Sequence, residues 1–395
     1  IWEIEYSMCA SGKKLMLELP LKVILTENGA SNFISHNKRL LRIRLADNID
    51  EYGISLNKFS PQSIQNMLLL DYISKIEMSM PEFVSSRQEV MDLSKIIVYS
   101  LLYKQFDREI YASIIQCECV RKHNRANPAH LIDEKTKMSE KQLRLVLSNK
   151  DEVICNIRNE ILEPVWAAIR DNKDYSIEEK NIYMLMTEKF MNRMSLMNWY
   201  VLTLFKSVNG FDEMIMKVRN LLSEYMEKSR VAEYISVMVM ELALNSENAN
   251  IRKEAKHMYP NVDDINSLVV DPEVRQKIVR ELQKNHVLVS VSWKLGGGST
   301  SIGKQGRLQI TLYNKDDEFQ EVKESIETKA TADTNKKTLI DFYREIPDGQ
   351  EGTDLGLYYL SYLDEACKKV DVKFESLVNQ FTSSDLTVIN LIFNF

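Results

Sequence analysis

The stretch from Val231 to Pro260 constrains this chain more than any other. Ile235, Met238, Val239, Leu242 and Leu244 recur at helical rather than alternating spacing, which predicts a core helix. Against that apolar background Glu241, Asn245, Asn248 and Arg252 fall at i, i+4, i+7 and i+11, so they share one face. One turn earlier the same face carries Val237 and Tyr234. The polar stripe therefore covers only the second half of the helix. A cavity lined by that half accounts for the pattern, and so does a helix that emerges into solvent after Met240.

A chain of 395 residues has room for two or three domains, each with its own core. Its 44% hydrophobic and 27% charged residues are ordinary for a folded soluble protein. The net charge of −6 argues against a general nucleic-acid binder or a protein of anionic membrane surfaces. No apolar run reaches the roughly 18 to 20 residues of a membrane-spanning helix, and the first residues carry no cationic or apolar leader pattern. These features predict a cytoplasmic protein without membrane insertion. Five scattered cysteines, Cys9, Cys117, Cys119, Cys155 and Cys367, have no framework spacing and fit reduced thiols.

Three parts are expected along the chain. Residues 1–59 read as a small β-rich module, from the alternation of Trp2, Ile4 and Tyr6 and from the runs 15–19 and 40–45. Residues 60–209 read as a helical bundle, with helices at 64–78, 87–104, 108–123, 140–147, 151–171 and 177–208. Its Met and aromatic stripe, Met184 to Tyr200, fits packed core better than a partner groove. Residues 210–395 form the third part: a helix over 211–228, the helix described above, a helix led by Asp271-Pro272, two strands ending at Trp293 and Asn314, a polar segment 315–351, a helix over 354–369 and two closing strands.

In this third part Glu241 and Asn245, four residues apart on a buried helix, are followed by a strand ending in Asn314 and by Gly352-Thr353-Asp354-Leu355-Gly356-Leu357 at the start of a helix. The order of elements and these residues resemble the histidine-kinase-like ATPase superfamily, the Bergerat fold. The resemblance covers residues 211–395 and implies an α+β fold, a sandwich with helices on one face of a mixed sheet. It implies a Mg-ATP site in which Asn245 holds the metal, Glu241 is the catalytic base or orients the nucleophile, and Asn248 and Arg252 complete the stripe. Residues 315–351 would be the lid. Asn314 stands where the family has the adenine-binding Asp, and no glycine follows it. Gly352, Thr353 and Gly356 match the phosphate loop, whereas Asp354 replaces the family's middle glycine with an anion.

Other motifs carry less. Gly298 to Gln305 is one residue short of a phosphate-binding loop, but its Lys304 leads into a strand. His123 with Asn127-Pro128 partly matches the phospho-acceptor motif of histidine kinases, but Asn124 replaces the needed acid. Cys117, Cys119, His123 and His130 lack paired metal-ligand spacing. The expectation is therefore a bacterial cytoplasmic signal-transduction protein. Its degenerate ATPase-like domain acts through protein partners, either as a scaffold without cofactor or, alternatively, as a Mg-ATP-dependent protein kinase. A homodimer stays open.

Overall fold

The computed structural model describes residues 16–47, 49–296, 306–314, 353–381 and 386–395, with the backbone alone for 353–359, 378–381 and 386–387. The protein is α+β and divides into two compact units. One is Leu102–Ser229. The other joins the chain up to Leu101 to Arg230–Phe395.

The larger unit is built on one eight-stranded sheet. Its strands are β1 (Leu21–Leu25), β2 (Leu41–Arg44), β3 (Asp50–Leu56), β4 (Ile73–Met80), β5 (Val289–Gly296), β6 (Arg307–Asn314), β7 (Lys373–Phe381) and β8 (Leu386–Asn394). The order is β2-β3-β1-β4-β5-β6-β8-β7. Every adjacent pair is antiparallel, so the expected mixed sheet is corrected to an antiparallel one. The expected boundaries also change. Residues 16–59 are not a module apart, because β1 to β3 share this sheet with the C-terminal strands through the pairing of β4 with β5, Met80 opposite Val289, while the expected strand through Trp2, Ile4 and Tyr6 lies outside the described residues.

The expected helix over 64–78 is likewise two elements. α1 (Glu27–Ser35) precedes α2 (Pro61–Leu69), which starts on the Ser60 cap and stops before Asp71, whose φ of 56° leaves the helical region. Beyond it Ile76, Met78 and Met80 alternate, the period of a strand. α1 lies so close to the start of β4 that a Cβ on Gly29 would meet the Tyr72 carbonyl oxygen at 2.3 Å.

One sheet face is apolar. Val289, Val291 and Trp293 of β5, Leu308, Ile310 and Leu312 of β6, and Ile389, Leu391 and Phe393 of β8 are all buried there. Each fully buried aliphatic side chain contributes about 1.5 to 3 kcal/mol. The other face pairs Glu77, Ser292, Thr311 and Asn390 across consecutive strands. In this unit α10 (Val231–Met258), α11 (Ile265–Val270), α12 (Pro272–Lys284) and α13 (Thr353–Lys369) complete the helices; α10 packs on β5 and β6, and also on α12 and α13. Asp271 caps α12 through Glu273 N and Val274 N, as the Asp-Pro pair predicts.

The helical unit takes the end of α3 (Arg87–Ile114), then α4 (Glu118–Ala126), α5 (Glu140–Leu147), α6 (Asp151–Asp171), α7 (Ile177–Arg193), α8 (Leu196–Phe205) and α9 (Phe211–Ser229). α9 thus clusters with this unit and not with the residues after 230. Capping boxes start α5 at Ser139 with Gln142 and α7 at Ser176 with Glu179. The expected helix over 177–208 breaks at Met194, because Ser195 caps α8 and the half-buried Asp107 carboxylate accepts from Ser195 N at 2.9 Å and Asn198 Nδ2 at 3.0 Å. Met186, Phe190, Met191, Met194 and Trp199 are buried core. Phe190 and Tyr225 lie with ring centroids 4.7 Å apart.

Candidate functional site

The second half of α10 carries the polar stripe singled out by its spacing. Glu241, Asn245, Asn248 and Arg252 are all half-buried, so the stripe neither emerges fully into solvent nor disappears into the core. Glu241 Oε1 lies 3.8 Å from the Arg87 guanidinium, and its side chain keeps 14% exposure. Burial lifts the Glu241 carboxyl above its ordinary range, and Arg87 offsets part of that. Asn248 Oδ1 accepts a long bond, 3.5 Å, from Arg275 Nη2 of α12.

Asn314 is found elsewhere. It ends β6, retains 1% exposure, and its Oδ1 accepts a 3.0 Å hydrogen bond from Nδ2 of Asn250, itself 3% exposed. Asn250 lies nine residues beyond Glu241, about two and a half helical turns, and so projects from the opposite side of α10. Among the described residues, Asn250 Oδ1 and Asn314 Nδ2 have no hydrogen-bond partner. On this sheet-facing side, Val239 and Leu242 meet Val291, Ile310, Leu312, Ile389 and Leu391 around a small void, which is aliphatic throughout.

Thr353, Asp354 and Gly356 occupy the first turn of α13, and α13 packs against α10. Gly352 and the segment 315–351 lie outside the described residues, as does the run from Gly298 to Gln305.

Two residues that the sequence reading missed hold this end of α10 in place. Glu247 is fully buried and accepts from Phe83 N, from Val84 N at 3.1 Å, and from Arg275 Nη2. Arg275 Nε also lies 3.7 Å from Glu82 Oε1. Burial raises the Glu247 carboxyl, while the Phe83 N–H and the Arg275 charge pull it back. The signal was in the spacing: Ala243, Glu247 and Asn250 follow one another at i, i+4 and i+7, a line that begins apolar, and a polar group on a buried line requires a partner.

In the helical unit, His123 sits in the last turn of α4 with its ring 5.5 Å from that of Phe205, and Asn127 Nδ2 lies 3.4 Å from His123 Nδ1. Cys117 and Cys119 are buried, and desolvation pushes the Cys117 thiol up to about 11. Among the described residues no three His, Cys, Asp or Glu side chains converge as metal ligands. Among them, too, no helix is long and apolar enough to cross a membrane.

An uncharacterized protein of Treponema pallidum (strain Nichols) is similar to this chain, 36% identical over 389 residues, which span 98% of the chain and 100% of the relative. No solved structure matches it. The family model for the family of unknown function DUF8084 matches residues 12–395, and the chain belongs to that family.

Proposed function

We propose that this protein is a cytoplasmic signalling component that works through protein contacts, its sheet-bearing unit being an ATPase-like framework whose nucleotide motifs have been remodelled. The order of α10, β5, β6, α13, β7 and β8 supports descent from a Bergerat-type framework. One observation carries the protein-contact reading: the acceptor on which adenine recognition would depend, Asn314 Oδ1, is bonded to Asn250 on the far side of α10 from Glu241 and Asn245. Adenine and magnesium sites on opposite sides of one helix do not make one cradle.

A second reading, a Mg-ATP-dependent protein kinase, draws on the half-buried Glu241 and on the packing of α13 against α10. A carboxyl lifted by burial is suited to general-base work. Calorimetry of the full chain with Mg-ATP, alongside Asn245→Ala, separates the two. The protein-contact reading expects no heat at millimolar nucleotide from either folded protein. Micromolar binding abolished by Asn245→Ala overturns it in favour of the kinase.

A further inference from the structure

The sheet ends at β2, which pairs only with β3 among the described residues. Leu45 N donates to Ile49 O at 2.9 Å, in phase with Ile43 opposite Glu51 and Leu41 opposite Gly53. In an antiparallel ladder bonded and non-bonded pairs alternate, so residues 41, 43 and 45 turn their backbone groups toward β3. Arg42 and Arg44 turn theirs to the free edge. The Arg44 carbonyl already accepts from Lys22 Nζ at 2.9 Å, which leaves the N–H and C=O of Arg42 and the N–H of Arg44 as the outward groups.

The charge on this edge runs against that of the whole chain. In a protein of net charge −6, Lys38, Arg39, Arg42 and Arg44 are all exposed within seven consecutive residues. Asp50 is the carboxylate within ion-pair range of the two strand arginines, 2.9 Å from Arg42 and 3.4 Å from Arg44. Leu41 and Tyr52 add exposed apolar surface beside them. Basic residues on an edge repel a second copy of the same edge. They favour a strand of opposite charge.

We propose that β2 is a docking edge for an extended acidic segment of a partner protein, which adds to the sheet as a further strand. Its backbone would pair with Arg42 and Arg44, and carboxylates at every second residue would meet their guanidinium groups, since residues two apart on a strand share a face. This extends the protein-contact reading by naming the surface and the chemistry of the partner.

The test uses the full chain and a fluorescein-labelled octapeptide of alternating Glu and Val, followed by anisotropy and by amide hydrogen exchange over residues 41–44. Expected are saturable binding, a loss of about tenfold or more in Arg42→Gln/Arg44→Gln with unchanged circular dichroism, and slowed exchange at Arg42. Replacing the two central Glu residues of the peptide with N-methyl-Glu should abolish binding, because the residues opposite Arg42 and Arg44 in an antiparallel ladder are the ones whose N–H groups face β2. Absence of binding overturns the proposal, and so does binding indifferent to the N-methyl groups, which would be charge attraction alone. Preference for anionic phospholipid vesicles over the peptide also overturns it. Nucleotide binding in the calorimeter would sink the protein-contact reading without touching this result.

Discussion

Asn250 Nδ2 donates to Asn314 Oδ1 at 3.0 Å, a buried bond that ties the second half of α10 to the last residue of β6. It joins the helix to the apolar face of the sheet. Among the described residues it also leaves one acceptor and one donor without partners, so both amides depend on each other.

Removing either partner should therefore cost more than the bond itself is worth. Asn250→Ala or Asn314→Ala is expected to destabilise the fold by about 1 to 3 kcal/mol, because the remaining buried amide loses its one partner. The double variant should cost less than the sum of the two. Urea denaturation of the three variants measures the coupling, and strict additivity would show that the bond is not formed in solution.

Glu247 should be the most sensitive position on α10. Glu247→Ala leaves the Arg275 guanidinium and the Phe83 and Val84 N–H groups without their acceptor. Breaking a buried pair by removing one member costs about 3 to 5 kcal/mol. Thermal unfolding should show a much lower midpoint than for Asn248→Ala, which loses only a 3.5 Å contact.

Glu241 sets a pH dependence of definite sign. Its carboxyl is raised above its ordinary 4.5 by burial, so the folded protein holds that proton more tightly than the unfolded chain does. Its contribution to stability is then fully present below the unfolded value and is lost as pH rises through the folded one. Glu241→Gln should leave stability unchanged in acid below that window and increase it slightly at neutral pH. Equal shifts at both pH values would contradict the assignment.

Gly29→Ala should destabilise the sheet-bearing unit by about 1 to 3 kcal/mol, the range for forcing extra volume into a packed site. The added methyl would meet backbone, the Tyr72 carbonyl at 2.3 Å, which cannot turn aside as a flexible side chain could. Ala30→Gly, one residue on, provides the control for helix propensity.

Thiol labelling should discriminate among the cysteines. In a Cys9→Ser background, the exposed Cys155 should react with a disulfide reagent at pH 8 within minutes, whereas Cys117 and Cys367 wait for unfolding. Burial pushes these two up to about 11 and about 12, so little thiolate is present. Fast labelling of two or more thiols in the native protein would contradict the packing around them.

Local patterns were legible where a few consecutive residues decide the outcome. The apolar period of α10, the Asp271-Pro272 helix start and the alternation of β5 and β6 all follow from neighbours within one or two turns. The segment 64–78 was misread because Ile73 and Ile76 also fit a helical period, and only the turn at Asp71 separates α2 from β4.

Which strands meet was decided by the tertiary structure alone. Alternation tells a strand which face to bury, but any two strands with one apolar face satisfy it equally. Nothing near Met80 names Val289 as the residue opposite, and nothing near Asn314 names Asn250. Spacing put Asn314 in line with Leu308, Ile310 and Leu312, and hence on the helix-facing side of the sheet. Which side of α10 it would meet depended on how that helix is rotated over the sheet. That rotation sets Val239 and Leu242 against β5, β6 and β8, where apolar area is removed from water.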